Sequence, residues 1–245
     1  MFDTLVFYDE DGAWVPSMAE SWEVQEDGSV LQFTLRPGMT FHDGTPCDAE
    51  AVKWTIDNLW LDPEVGLAAL KDRFTGAEVV DPQTIRLLLT QPDVTSFATL
   101  ADQFIVSPTA YQELGPDEFA LNPVGSGPYS FESWRQGSEL TQVRFDGYWD
   151  AERPYPDSLV WKPLPEDTVR MINLTEGEVD VATFIPDAEV ETMQSTDGIE
   201  VGMQLGGYVG VMFNMVDPPF DKLANREALL LAIDYDALNS AVFFG

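Results

Sequence analysis

The amino-acid sequence predicts an α/β fold whose sheet is mixed or parallel. Two observations lead to this class. From about residue 159 onward, strand-like and helix-like segments alternate along the chain, which is typical of such a sheet with helices packed on it. The earlier part instead alternates apolar and polar residues in short segments joined by turns, the pattern of antiparallel hairpins. With 245 residues, of which 44% are hydrophobic, the chain can bury one large core or two small ones.

The composition is strongly acidic, with a formal net charge of −31. Nucleic acids and anionic membranes are bound through clustered Lys and Arg, so the charge excludes both as ordinary partners. A face for a cationic partner would need clustered acids, whereas these are spread along the whole chain. An acidic surface over an ordinary core therefore predicts a protein adapted to concentrated salt, which screens the self-repulsion.

The first half of the chain predicts two hairpins and several short helices. Asp48 is a good helix N-cap and precedes a segment of helical periodicity, so a helix is expected over residues 49–60. Pro108 suits the first turn of a helix that runs toward Leu114, before a polar loop at 115–123. The other predicted segments are an apolar opening at 2–8, hairpins of 18–24 with 31–35 and of 76–80 with 84–89, a helix at 94–100 and a strand at 104–106.

The second half predicts a pair of strands followed by the alternating α/β segment. Residues 129–134 and 140–145 both favour strands and are expected to pair with each other. The remaining predictions are strands at 159–162, 179–184, 199–204 and 205–214, and helices at 168–176, 187–193 and 226–233.

Residues 205–214 form the most informative segment. They are too apolar for a half-exposed strand and too few for a membrane span, so they predict a strand inside a sheet. Gly206, Gly207 and Gly210 leave bare backbone in that strand. A tightly packed central strand would explain them, and so would the close approach of a ligand or another backbone. The local sequence leaves both explanations open.

Three features that could carry chemistry have simpler structural interpretations. Cys47 is the only cysteine, so it forms no internal disulfide, and we expect a small buried residue at a helix start rather than a nucleophile. His42 is the only histidine and is expected to bond to nearby loop backbone, since a metal site would need several ligands. The glycines of residues 124–129 lack the Lys and the helix of a phosphate-binding loop, so they predict a turn into a strand.

The turn and loop signals of the chain occur in a characteristic order. They include Phe-His-Asp-Gly-Thr-Pro at 41–46 and Gly-Ser-Gly-Pro-Tyr at 125–129, and the others lie at 19–22, 33–38, 147–149, 177–180, 213–214, 218–221 and 226–234. Together, over nearly the whole chain, they closely resemble the family 5 extracellular solute-binding proteins of ABC importers. This group includes oligopeptide-, dipeptide- and nickel-binding members.

The resemblance implies a periplasmic-binding-protein-like fold of type II (cluster C), with two lobes and a small inserted domain. Laid on this sequence, it assigns residues 1–107 to the small inserted α/β domain, 108–224 to a main-lobe portion with a mixed sheet, and 225–245 to the start of the second lobe. Both ends interrupt apolar patterns, and we expect the chain to be a piece of a longer protein. A signal peptide or lipid anchor is expected upstream.

The resemblance also implies where a ligand would bind. In peptide-binding relatives, the stretch before the Phe-Asn pair lines the cleft between the lobes and offers main-chain groups to the ligand. We therefore expect the ring of Tyr208 to face the solute. The implied main-chain stretch consists of Gly207, Tyr208, Val209, Gly210 and Val211. Phe184 and Ile185, at the expected end of a main-lobe strand, are second-rank candidates because clefts form at sheet ends.

The function implied is solute capture without chemistry. The protein would be an extracellular or periplasmic, cell-surface component that delivers an oligo- or dipeptide to ABC permease subunits. It would be monomeric, with no cofactor, metal site or nucleic-acid partner. Nickel chelates and oligosaccharides stay open as ligands within the family. A secreted glycosidase is the rival from another class, although no carboxylate pair is singled out by spacing or motif.

The charge predicts that stability depends on salt. Self-repulsion at a net charge of −31 acts over long range when the screening length exceeds roughly 10 Å, as it does below about 0.1 M salt. We expect the midpoint of thermal unfolding to rise steadily as KCl is raised from low to molar concentration. Thermal melts across a salt series measure this, and an unchanged midpoint would refute the adaptation to salt.

Overall fold

A computed structural model describes residues 1–93, 95–202 and 211–243, and the chain divides into two compact units, Met1–Pro163 and Leu164–Gly245. The domain boundaries expected at residues 107 and 224 stay a prediction. The strands are β1 (Val6–Tyr8), β2 (Trp14–Pro16), β3 (Ala19–Gln25), β4 (Val30–Leu35), β5 (Phe74–Asp81), β6 (Thr84–Leu89), β7 (Tyr129–Arg135), β8 (Glu139–Arg144) and β9 (Ser158–Trp161). The helices are α1 (Ala49–Thr55), α2 (Ala68–Arg73), α3 (Ser96–Ala101), α4 (Pro108–Leu121), α5 (Asp167–Thr175), α6 (Val190–Gln194), α7 (Leu223–Ala232) and α8 (Tyr235–Phe243).

The first unit is built on three antiparallel sheets. Their strand orders are β1-β2, β3-β4-β6-β5 and β7-β8-β9. Both predicted hairpins of the larger sheet are confirmed, and so is the pairing of β7 with β8. Alternation explains this sheet, because one face of each strand is buried while the other contacts water.

The core of the first unit lies on the buried face of the four-stranded sheet. Phe33 of β4 stands opposite Ile85 of β6, and Leu31 stands opposite Leu87. All four side chains are buried. Removing each from water stabilises the fold by about 1.5–3 kcal/mol, so the two strands are tied together mainly by this face.

Helix α1 packs into the same core, and its start follows the sequence prediction. The Asp48 carboxylate accepts hydrogen bonds from the backbone N–H groups of Glu50 and Ala51, at 3.1 and 3.2 Å. These are donors that the first turn of a helix leaves without partners. Val52 and Ile56 are fully buried in the core. The helix continues as a wider turn at Ile56–Trp60, which completes the predicted 49–60 segment.

Two predicted features of the first unit are wrong. Residues 104–106 form no strand. Ile105 and Val106 are buried but are held by single bonds to Asp3 and Thr55 rather than by a ladder, and Phe104 is exposed. The polar loop expected at 115–123 is helical as far as Leu121. Gly115 has a φ of +75°, where glycine meets no steric penalty, and the chain resumes helical geometry at Pro116.

The described residues of the second unit contain helices and extended segments but no strand. Helices are confirmed at α5, at Asp187–Glu189 continuing into α6, and at α7. The strand predicted at 179–184 is wrong, and residues 199–202 and 211–214 are not strands either. A strand needs a neighbour that pairs with its backbone groups, and apolar composition alone does not supply one. The described sheets are all antiparallel rather than mixed or parallel, because the alternating segment after residue 163 contributes helices but no described strand.

Over the described ranges, the helices are all too short or too polar to span a membrane.

One carboxylate of the first unit is buried at a cost. Asp3 is 7% exposed and accepts hydrogen bonds from Trp149 Nε1 at 3.3 Å and from the Tyr148 hydroxyl at 3.4 Å. The guanidinium of Arg36 lies 3.9 Å from the centroid of the Trp149 ring. Burial outweighs these contacts and raises the pKa of Asp3 to about 6. The folded protein therefore holds this proton more tightly than the unfolded chain does.

The Asp3→Asn variant should change how stability depends on pH. With a folded pKa above the unfolded value, Asp3 makes the native protein less stable as pH rises from about 4 to about 6. Asparagine lacks this titration, so the variant should gain on the order of 2–3 kcal/mol relative to the parent between pH 4 and pH 7. Urea unfolding of both proteins at several pH values measures the difference. A difference that does not vary with pH would contradict the assignment.

Candidate functional site

The family-type turns around His42 form a structural junction within the first unit. His42 Nε2 lies 2.8 Å from the Gly127 carbonyl, and its backbone N–H donates to the Gly125 carbonyl at 2.9 Å. Its Nδ1 accepts from the Gly125 N–H at 3.4 Å. The ring also meets Phe145 edge to face, with centroids 4.9 Å apart. The expectation of a loop histidine bonded to backbone is confirmed.

The backbone of Met1 comes very close to Gly125 and Gly127 in the turn that His42 contacts. A side chain at Gly127 would meet the Met1 backbone at 2.7 Å, so only glycine leaves room for that segment. The turn leads directly into β7, as predicted.

Burial lowers the pKa of His42. The folded protein is therefore less stable below about pH 6.5, where the unfolded chain binds a proton on this imidazole more readily.

Asp43 and Cys47 are also structural in this junction. Asp43 accepts hydrogen bonds from the Thr45 N–H at 2.9 Å, the Thr45 hydroxyl at 2.6 Å and the Ser107 hydroxyl at 2.5 Å. These bonds lower the pKa of the carboxyl, although partial burial opposes them. Cys47 is buried, as predicted, and burial raises the pKa of its thiol far above neutral pH. A nucleophile needs the opposite shift.

Phe184 is the predicted site residue with the most unusual geometry. Its side chain is 88% exposed, although a large aromatic ring gains from burial. Its φ is +58°, in the left-handed region that costs a residue with a side chain roughly 1–2 kcal/mol. Strained backbone of this kind persists only where surrounding contacts hold it, and it is common at binding sites.

Arg170 of α5 supplies those contacts. Its guanidinium donates to the Phe184 carbonyl at 2.7 Å and to the Leu164 carbonyl at 2.7 Å, and it pairs with the Asp167 carboxylate. The Arg170 side chain is only 15% exposed. The fork of a guanidinium suits several acceptors at fixed angles, so one side chain fixes the start of α5 and the Phe184 segment together.

The other predicted ligand residues are less informative. Ile185 is half-buried beside Phe184, and Val211 is exposed in a separate segment. No hydrogen bond among the described residues joins the two segments. The rest of the predicted stretch lies outside the described residues: Gly207, Tyr208, Val209 and Gly210.

The motif that follows the predicted stretch forms a turn locked by side chains. Asn214 donates to the Asp217 carboxylate at 2.9 Å, and the rings of Phe213 and Phe220 pack with centroids 5.1 Å apart. Arg226 donates to the Phe220 carbonyl at 2.6 Å. The Phe-Asn pair and the double-proline turn therefore belong to one structural unit.

Sequence reasoning missed Arg170. The available signal was the spacing of Asp167 and Arg170, which puts the two charges on one face of a helix. Such a pair is ordinarily a surface feature of little consequence. Nothing in the sequence indicates that the same guanidinium reaches a carbonyl fourteen residues later.

Among residues 1–93, 95–202 and 211–243, no three His, Cys, Asp or Glu side chains are grouped as they would be to hold a metal ion. The junction around His42 uses its donors and acceptors within the fold. Outside that junction, the exposed Phe184 ring and its left-handed backbone are the most unusual features at the predicted site residues that the structure describes.

Comparison with known proteins shows first the class of the fold. The chain has the type II periplasmic-binding-protein fold: a dipeptide-binding protein from Pseudoalteromonas sp. SM9913, solved with Met-Leu, matches the whole chain with a TM-score of 0.86 at 24% identity. The chain belongs to family 5 of the bacterial extracellular solute-binding proteins, whose model matches residues 13–245. The family is one of solute-binding proteins, so the comparison confirms the resemblance and gives no support to a glycosidase.

Similar proteins differ in what they are named for. The glutathione-binding protein GsiB of Salmonella paratyphi A is 33% identical over 235 residues, which cover 93% of this chain and 45% of that protein. A solved structure of AgaA from A. tumefaciens R10 with agropinic acid is 30% identical, with a TM-score of 0.74, and covers 80% of this chain and 40% of that one. NikA from Brucella suis, solved with Fe(III)-EDTA, is 26% identical with a TM-score of 0.80, over 100% of this chain and 51% of that one. The chain spans about half the length of the curated relatives it matches.

Replacing Arg170 with Met should release the Phe184 segment. Methionine resembles the unbranched aliphatic part of arginine but lacks the guanidinium and its hydrogen bonds. We therefore expect a loss of about 2 kcal/mol in the stability of the second unit. Amide hydrogen exchange at residues 184–194, with urea unfolding, measures it. Arg135→Met is the matched control, because Arg135 is 69% exposed and, among the described residues, its side chain pairs with Glu139 alone, so its loss should be below about 1 kcal/mol. Equal losses in the two variants would contradict the role of Arg170.

Proposed function

We propose that this chain is part of the extracellular substrate-binding component of an ABC importer. The observation that carries the proposal is the family match over residues 13–245. The protein would bind its solute outside the cytoplasmic membrane and deliver it to ABC permease subunits. It would act as a monomer, and a signal peptide or lipid anchor would direct it to the cell surface.

The proposed solute is a short peptide. The relatives at 31–33% identity are named for glutathione, which is a tripeptide, and this favours peptide chemistry over the other ligands of the family. Peptides offer backbone N–H and C=O groups that can pair with exposed main chain, as a strand would. The glycines at 207 and 210 would leave main chain accessible for this pairing.

A metal chelate is the second candidate, because NikA was solved with Fe(III)-EDTA and is 26% identical to this chain. An oligosaccharide has less support, since no peptide-like backbone would pair with the glycine-containing stretch.

Phe184 would contribute an apolar wall to the site. Its ring is exposed and its backbone is held in a strained conformation by Arg170, so the residue is displayed rather than packed. An aromatic ring of this kind supplies a large contact area at little cost in conformational entropy. Tyr208 would add a second ring from the glycine-containing stretch.

The proposal is tested with the product of the complete gene. Native mass spectrometry of the protein purified from its own cells would identify a co-purifying solute, and calorimetry with glutathione, dipeptides, Ni(II)-histidine and an oligosaccharide would rank the classes. We expect a di- or tripeptide to bind most tightly. Tightest binding of the chelate or sugar would overturn the peptide assignment, and hydrolysis of any of these compounds would overturn the function.

Truncating Phe184 should weaken binding without weakening the fold. We expect the Phe184→Ala and Tyr208→Ala variants to raise the Kd for the bound peptide about tenfold, in the range of buried aromatic contacts at interfaces. The melting temperature of the Phe184 variant should stay within about 2 °C of the parent, because the side chain is exposed. Val181→Ala is the control, since Val181 is 79% exposed in the same segment. An unchanged Kd for Phe184→Ala, or an equal loss for Val181→Ala, would refute the assignment.

A further inference from the structure

A surface groove of about 410 Å³ lies in the first unit, beside α1 and the start of α4. It is open to solvent along one side rather than enclosed. Its walls carry three carboxylates and one ammonium group: Asp48, Glu50, Asp57 and Lys53. Trp54 supplies an aromatic wall among them. The groove contains none of the residues assigned to solute binding.

Most of the charges in the groove have partners inside the protein. Lys53 and Asp57 are paired at 2.5 Å, one helical turn apart, so the ammonium group neutralises that carboxylate. Asp48 is the N-cap of α1, and its carboxylate accepts hydrogen bonds from the first turn of that helix. Glu50 is exposed and accepts no hydrogen bond from the described residues. The groove therefore retains negative charge, with Glu50 as its least engaged carboxylate.

Trp54 lines the same groove and follows Glu50 by one helical turn. Glu50 and Trp54 are four residues apart in α1, which puts them on the same face of the helix. The indole packs on one side against Tyr111, with ring centroids 5.5 Å apart, and remains half-buried. An aromatic ring fixed next to a carboxylate is the arrangement that attracts a planar cation, through the ring face and the charge together.

A related cluster elsewhere in the first unit places one of the protein's own arginines on a tryptophan ring. The Arg36 guanidinium lies 3.9 Å from the centroid of the Trp149 ring, and the carboxylate of Asp3 accepts a hydrogen bond from that indole. There the ring, the carboxylate and the guanidinium all come from one chain. In the groove, the ring and the carboxylate are present and no arginine lines the walls.

We propose that this groove binds an arginine-bearing segment of a partner protein. The guanidinium stacks on Trp54 and pairs with Glu50, and the flanking backbone of the segment lies along the open groove. Charge complementarity selects the partner: the groove is acidic, and a guanidinium is more weakly hydrated than an ammonium, so it is preferred at a stacked site. The open shape favours a segment over a small free cation, because pockets for small ligands bury most of the ligand surface.

The probe for the test is the capped peptide acetyl-Ala-Ala-Arg-Ala-Ala-amide. It is titrated into the ¹⁵N-labelled product of the complete gene in about 1 M KCl, where the screening length is near 3 Å and attraction to the overall charge is suppressed. The same peptide with citrulline in place of arginine has the same shape without the charge. Methylguanidinium chloride is the small-cation probe.

The proposal expects chemical-shift changes confined to α1, the 45–46 loop and the start of α4, and none with the citrulline peptide. Glu50→Gln and Trp54→Leu should each raise the Kd roughly two- to fivefold. Glu10→Gln removes an equal charge from an exposed loop elsewhere in the unit and should change nothing. Circular dichroism checks that each variant is folded. If Trp54→Leu is unfolded, the effect of Glu50→Gln on the Kd tests the proposal by itself.

Three results would overturn the proposal. Shift changes spread over the acidic surface, with an equal effect of Glu10→Gln, would mean non-specific attraction. Methylguanidinium binding as tightly as the peptide would mean a small-cation site. Equal binding of the arginine and citrulline peptides would mean that charge is not recognised. None of these outcomes bears on solute capture, because the variants lie outside the residues assigned to it.

Discussion

The contact between His42 and the turn at residues 125–127 joins two distant segments of the first unit. It connects the loop that precedes α1 with the turn that begins the three-stranded sheet, two segments more than eighty residues apart. A neutral imidazole is required, because one ring nitrogen faces a carbonyl and the other faces an N–H group. Glycine is required on the other side, since a Cβ at Gly127 would collide with the chain. The family-type motifs at these positions are therefore explained by packing.

Acidity has two distinct consequences in this protein. The charge of −31 acts over long range and is weakened by salt, whereas Asp3 is buried and is screened far less. Local contacts set individual pKa values: that of Asp3 is raised by desolvation, and that of Asp43 is lowered because its hydrogen bonds together outweigh its partial burial. The composition predicts the long-range repulsion but gives no information about which carboxylate is buried.

Phe184 combines an exposed ring with a backbone that is held in place. The ring is exposed, the backbone is left-handed, and the carbonyl is held by a guanidinium from α5. A residue this strained would relax if its contacts allowed, so the Arg170 bonds stabilise the arrangement at the expense of local backbone energy. The groove beside Trp54 has the opposite character, because none of its lining residues has a positive φ like that of Phe184.

The sequence by itself determined the family, both hairpins of the large sheet, the Asp48 cap and the structural roles of His42 and Cys47. These follow from local rules: alternation fixes which face of a strand is buried, and capping fixes where a helix begins. The tertiary structure decided what depends on distant partners. Residues 179–184 were expected to form a strand from their apolar composition, yet a strand exists only where a neighbour pairs with it, and the described residues provide none. Arg170 likewise looks like a surface charge until folding brings the Phe184 carbonyl within 2.7 Å of it.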